Sequence, residues 1–222
     1  MVGANITVEI QRKPMTRHEL RDLIAGGESS TVEFKRKFTT AEKFAREMIA
    51  LANTVGGYLI VGVDDDGAIV GVPSEKEVVE QIERSQHVIT PELPVHIDVV
   101  EIEFVDVVVV HIPNSEQKPH RLTSEEQRAY IRKGDQSVAA SKEMTKILAA
   151  QRPDAPPMTL SIGDRERRLF LYLERYGQAS VNDFARLVNI SRRRASQILV
   201  KLVRAGVLHI HTDNGHDYFT LI

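Results

Sequence analysis

The sequence predicts an α+β chain of two domains: a larger mixed one, then a small helical one ending in a hairpin. Three observations predict it. Apolar residues recur with period two and with helical period in alternating stretches through the first two thirds. Pro153, Pro156 and Pro157 then interrupt the pattern, and such a run cannot continue a helix and favours a stiff, extended linker. Beyond it the order is helix, helix, helix and two strands. The expected division is residues 1–151, a linker at 152–159, and residues 160–222.

The elements follow in order. Ile6 to Ile10 alternates and reads as a lone strand or arm. Thr16-Arg17-His18-Glu19 is a capping box with Met15 and Leu20 as a hydrophobic staple, so a helix runs to about Ala25 and stops at Gly26-Gly27. Val32 and Phe34 alternate with Glu33 and Lys35, which places the two charged residues on one face of a strand. Thr39-Thr40-Ala41-Glu42 reads as a second capping box, opening a helix on Phe44, Ala45, Met48, Ile49 and Ala52 that Gly56-Gly57 ends. Tyr58 to Val63 is an apolar strand, and Asp66-Gly67 predicts a hairpin into Ala68 to Val72. Ser74 caps a third helix. Val95 to Glu103 and Val105 to Ile112 form a further hairpin, Tyr130 to Arg132 a strand, and Ser141 to Ala150 a closing helix. After the linker come helices at Arg165 to Tyr176, Val181 to Val188 and Arg192 to Ala205, with Ser180 and Ser191 as N-caps. Asn214-Gly215 joins the two last strands. This order looks like a winged helix-turn-helix domain.

Composition narrows the function. There are no cysteines, which excludes disulfides and thiolate zinc sites. The apolar runs, such as Val107 to Val110, are far too short for a membrane span, and the N-terminus lacks a secretory pattern; a cytoplasmic protein is expected. The formal net charge is −2, but residues 160–222 carry 10 Lys and Arg against 6 Asp and Glu, leaving 19 against 25 before them. Attraction to phosphate depends on the local field, so the basic C-terminal part points to nucleic acid.

A set of motifs carries more. Glu28 with Glu33-Phe34-Lys35, then Ala52-Asn53-Thr54, Gly56-Gly57, Gly62-Val63-Asp64-Asp65 with Asp66-Gly67 and Val70-Gly71, and finally Tyr130-Ile131-Arg132-Lys133-Gly134 with Ser137, occur in that order. In this arrangement the chain resembles the Schlafen-type AlbA-like domain family, commonly labelled a DNA-binding domain, over about Arg17 to Met144. The resemblance implies an AlbA-like mixed α/β fold. In eukaryotic relatives the equivalent acids form a ribonuclease site. Residue by residue, that implies Glu28, Glu33 and Asp65 as catalytic and metal-ligating acids, with Lys35 as a phosphate contact. Oxygen ligands of this type suit Mg²⁺ or Mn²⁺, which activates water and offsets phosphate charge. The bland account is that Glu33 pairs with Lys35 or a neighbouring backbone group. No Gly-x-x-x-x-Gly-Lys-Ser/Thr occurs, so P-loop ATP hydrolysis has no cradle here.

The third C-terminal helix supplies the second candidate surface. Ala195, Ile198, Leu199, Leu202 and Val203 make its core stripe, while Arg192, Arg193, Arg194, Ser196, Gln197, Lys201 and Arg204 fall largely on its other faces. Arginines at a helix start oppose the helix dipole and are not placed for stability. Cations for phosphate and Gln or Ser for base edges fit a recognition helix. Against it, Asp213 and Asp217 flank the final turn where a basic tip would be usual. In the first domain Arg132 is the best single nucleic-acid contact. The scattered histidines, His120 among them, show no metal spacing and read as surface or strand positions.

The sequence therefore supports a DNA-binding transcriptional regulator that reads duplex DNA through its C-terminal domain. Two-fold operator recognition calls for a homo-oligomer. The alternatives are a metal-dependent nuclease, with RNA or DNA as substrate, and a scaffold for protein contacts.

Overall fold

The computed structural model describes residues 13–123, 127–156, 158–213 and 216–222. The strand expected at Ile6 to Ile10 and the turn at Asn214-Gly215 lie outside the described residues. The first helix, α1 (Arg17–Gly26), starts at its capping box, with Thr16 Oγ1 accepting from the Glu19 N–H and the Glu19 carboxylate accepting from the Thr16 N–H at 2.8 Å. After β1 (Val32–Lys35), α2 (Ala41–Asn53) begins one residue later than expected. Thr40 is its cap and accepts from the Lys43 N–H.

Next come β2 (Gly57–Val61), α3 (Glu75–Gln86), β3 (Ile89–Thr90), β4 (His96–Ile102), β5 (Val105–Ile112), β6 (Arg121–Leu122), β7 (Tyr130–Lys133) and β8 (Gln136–Ala139), closed by α4 (Lys142–Ala150). The main sheet has the order β1-β2-β5-β4, with β1 parallel to β2 and the other pairs antiparallel. On one face Leu59, Val61, Val108 and Val110 pack with residues of α2 and α3; on the other Phe34, Ile60, Val107 and Val109 pack with Leu20 of α1. Burial on both faces explains the unbroken Val107 to Val110 run, because a strand covered on both sides has no polar face to alternate with. The same alternation turns Val32 and Phe34 of β1 toward the α1 side and Glu33 and Lys35 away from it.

One local expectation changes. The residues after Asp66-Gly67 form no strand, only bridges from Val63 to Ile69 and from Val72 to Asp106. Gly56, just past the Thr54 cap, helps to end α2 by donating its N–H to the Leu51 carbonyl at 2.9 Å, and the smallness of Gly56-Gly57 serves a second purpose. A Cβ on Gly57 would stand 2.1 Å from the Thr31 carbonyl oxygen, and one on Gly56 would stand 2.6 Å from the Asn114 nitrogen. The pair lets β2 pass two other backbone segments of the chain's own.

Residues from 160 onward build a separate apolar cluster. Here α5 (Asp164–Tyr176), α6 (Val181–Leu187) and α7 (Arg192–Arg204) are followed by β9 (Leu208–Asp213) paired with β10 (His216–Leu221). Leu169, Leu173, Phe184, Ala195, Leu199, Leu202 and Phe219 are the fully buried centre. Ser180 and Ser191 cap α6 and α7 as expected.

Candidate functional site

The motifs of the first region meet at one buried charge cluster. Its centre is Arg132 on β7, whose side chain has no exposed area. The guanidinium donates through Nη1 to Glu33 Oε2 at 2.6 Å and to Ser137 Oγ at 3.1 Å, and through Nη2 to the Ser29 carbonyl at 2.6 Å. Glu47 of α2 lies 3.5 Å from Nη1 and accepts from the Ser137 hydroxyl. Glu33 also accepts from Lys35 Nζ, which donates in turn to the Phe34 carbonyl at 2.9 Å. One guanidinium thus stitches β1, β7, β8 and the loop at Ser29. Its Nε is buried with no partner.

A second set of bonds holds the β7–β8 hairpin onto the end of α2. Asn53 is almost fully buried; its Nδ2 donates to the carbonyls of His120 (3.0 Å) and Tyr130 (2.9 Å), and its Oδ1 accepts from the His120 N–H (2.8 Å). Thr54 Oγ1 accepts from the Arg132 N–H at 2.9 Å. The Ala-Asn-Thr and Tyr-Ile-Arg-Lys-Gly motifs are therefore two halves of one clamp. His120, expected at a surface or strand position, is fully buried, with Nδ1 2.9 Å from the Pro91 carbonyl and Nε2 2.6 Å from Ser115 Oγ. Burial holds its pKa below the ordinary histidine value, with the charge of Lys118 adding to the effect and the Pro91 bond opposing it.

Of the candidate acids, Glu33 and Asp65 act on the charge of Glu28, and Glu28 and Glu33 have partners of their own. Glu28 is half-buried and accepts from the Phe34 N–H at 2.8 Å. Burial raises its carboxyl above the usual range, and the charges of Glu33 and Asp65 raise it further, against the Phe34 bond and Lys35. Glu47 is raised by burial as well, opposed by its bond to Ser137. Asp65 is exposed, while its neighbour Asp64 pairs with Arg36. Among the described residues no three His, Asp or Glu side chains are grouped to hold a metal ion. Glu33 gives one oxygen to Lys35 and the other to Arg132, so this donor set does not fit Mg²⁺ or Mn²⁺ as it stands.

Sequence reasoning named Glu33, Lys35 and Arg132 but missed that Glu33 and Arg132 are partners, and it gave Arg132 a surface role its burial does not permit. It also missed Glu47. The signal was present: Glu47 falls on the helical stripe of Phe44 and Leu51, both fully buried, where an acid needs a partner.

On α7 the cations sit differently. Arg192, Arg193, Arg194 and Lys201 are exposed with Gln197, Arg204 is half-buried, and among the described residues none of these five cations makes an ion pair. The first turn of α7 holds no acid. Ser196, expected to face DNA, is buried instead against α4. At the end of β9, Asp213 pairs with Lys133 at 3.3 Å.

The family model described as Schlafen, AlbA_2 matches residues 28–141, just over half the chain and all of the clamp described above. The chain belongs to the Schlafen AlbA_2 family. Within that domain Glu33, Thr54 and Ser137 each bond to Arg132, while Asn53 bonds to Tyr130 and His120 beside them. No curated protein matches the sequence. Among solved structures, the DIP2311 protein of Corynebacterium diphtheriae is similar at 17% identity and a TM-score of 0.49, over 92% of this chain and 38% of that one. The N-terminal domain of an "ATP-dependent DNA helicase RecG-related protein" from Nitrosomonas europaea is similar at 20% identity and a TM-score of 0.42, over 65% of this chain and 94% of that domain. The chain thus spans well under half the length of the first of these. No helix among the described residues is long and apolar enough to cross a membrane.

Proposed function

We propose that this Schlafen AlbA_2 protein binds nucleic acid, and that it is a DNA-binding transcriptional regulator whose residues 160–222 form a winged helix-turn-helix domain behind a linker at 152–159. The observation that carries the reading is the row of cations on α7: Arg192, Arg193, Arg194, Lys201 and Arg204, none of which makes an ion pair among the described residues. Unpaired cations along one helix suit a phosphate backbone, because binding releases counterions from the duplex. Gln197 stands among them, able to reach a base edge. In this reading α6 and α7 are the helix-turn-helix, β9 and β10 the wing, and a second copy of the chain reads the other half of a two-fold site.

The test is duplex-DNA binding measured across a range of salt concentrations. Arg193→Ala with Lys201→Ala should weaken binding and lower the salt slope by roughly two units, about one per lost phosphate contact. Unchanged affinity and slope in the folded double variant would sink the reading.

The nuclease reading ranks second, supported by one observation: the charges of Glu33 and Asp65 both act on Glu28. Cleavage of labelled RNA or DNA by the wild type in Mn²⁺, abolished by Glu28→Gln and by EDTA, is its test. Wild-type protein that leaves both substrates intact removes it.

A further inference from the structure

The DNA-facing helix does not stand free. Ser196, in the middle of α7, is 3% exposed. Its hydroxyl donates to Glu143 Oε1 of α4 at 2.7 Å and accepts from Lys146 Nζ of α4 at 2.7 Å. Lys146 and Glu143 are themselves 3.7 Å apart, so the three side chains form one closed knot. Val200, a turn further along the same face, is buried although it lies outside the apolar cluster that holds α7 in its own fold. The Lys133–Asp213 pair adds a second tie, between the β7–β8 hairpin and the end of β9.

Size decides what this contact permits. The major groove is about 12 Å wide, and one helix with its side chains is about 10–12 Å across. Packed helices lie about 8–10 Å apart axis to axis, so α4 and α7 together are roughly twice too wide to enter. With α4 in place, the strip of α7 carrying Ser196 and Val200 cannot meet base edges, while Arg194, Gln197 and Lys201 remain exposed beside it.

We propose that α4 clasps α7 and holds the chain in a form closed to duplex DNA, so that binding requires release of the Glu143–Ser196–Lys146 knot. The proposal rests on the reading of α7 as the DNA-contacting helix. The joint is suited to opening. The knot is polar and its Lys146 is exposed. The residues 151–163 that connect α4 to α5 can span roughly 40 Å when extended, enough to carry the two parts clear of each other. A binding-competent form that is only partly populated weakens the apparent affinity by the fraction open.

Two measurements on the full chain test it. Glu143→Ala removes the acceptor and should tighten duplex binding about tenfold, the scale of one lost charge-assisted bond. Glu174→Ala on exposed α5 makes the same change of charge away from the joint and should tighten it far less. Because the chain has no cysteine, Glu143→Cys with Ser196→Cys creates a single pair that a short, reductant-cleavable thiol linker should bridge. The bridged protein should lose at least tenfold in duplex affinity and regain it on reduction. Bridged protein that binds as well as reduced protein, a pair that fails to bridge, or Glu143→Ala no tighter than Glu174→Ala overturns the clasp alone. If neither reduced nor Glu143→Ala protein binds duplex at low salt, the reading of α7 itself falls, and the clasp falls with it.

Discussion

Arg132 and the arginines of α7 look alike in the sequence and behave as opposites in the fold. Arg132 is wholly buried, with Glu33, Ser137 and a backbone carbonyl as partners. Arg192, Arg193 and Arg194 are exposed, and among the described residues none makes an ion pair. A buried guanidinium is tolerable only when paired and hydrogen-bonded, so its role is to fix neighbouring elements. An exposed, unpaired one contributes little to folding and leaves its charge for something else. In this chain the family motif marks the structural arginine, whereas the unpaired arginines lie outside the matched residues.

The largest effect should come from removing the buried cation. Arg132→Ala leaves the buried Glu33 with Lys35 alone as a cationic partner and removes the bonds to Ser137 and the Ser29 carbonyl, and should cost about 3–5 kcal/mol in chemical denaturation. Protein that still folds should bind duplex DNA as before. The mirror experiment is the Arg193→Ala, Lys201→Ala protein, whose stability should stay within about 0.5 kcal/mol of wild type. If Arg132→Ala left stability intact and abolished binding, the contrast would be inverted.

Asn53 sharpens the same contrast from the side of the clamp. Asn53→Ala orphans the His120 and Tyr130 carbonyls and the His120 N–H at once. Leaving buried groups unpaired should cost about 3 kcal/mol. A loss well under 1 kcal/mol would mean that water replaces the side chain and that the two motifs are not clamped through it.

The framework of the fold was legible because it is written locally. Caps at Thr16, Ser74, Ser180 and Ser191 and the period-two run of β4 each need only a few adjacent residues. The pairing of Glu33 with Arg132 was not, since 99 residues separate them and only the packing of the β7–β8 hairpin against α2 brings them together. Lys35 beside Glu33 was legible, being two positions away on one strand face. Ser196 reads as an outward polar residue on the pattern of α7 alone; the helix that covers it begins at Lys142, in the other part of the chain. The short strands β3, β6 and β8 went unseen: two residues are too few to show a period in β3 and β6, and Gln-Ser-Val-Ala in β8 does not alternate.

The smallest effect concerns pH and isolates His120. Its neutral ring fits the site: Nδ1–H donates to the Pro91 carbonyl while Nε2 accepts from the Ser115 hydroxyl. Burial, aided by the nearby Lys118 charge, holds its pKa below the ordinary 6.5. In the unfolded chain the ring gains a proton as pH falls through that value, while the folded ring stays neutral until lower pH. The folded state therefore loses stability on acidification through this window, by about 1.4 kcal/mol for each unit of depression. Glu28 and Glu47, both raised by burial, have the opposite sign: the stability they contribute is present at low pH and is lost as pH rises above 4.5. The wild-type curve mixes the two, so the difference between wild type and His120→Asn is the quantity to follow. The advantage of wild type over His120→Asn should shrink as pH drops from 7.5 to 5. If it is constant across that range, the ring is not held neutral and the buried clamp tolerates a charge there without the carboxylate partner that Arg132 has in Glu33.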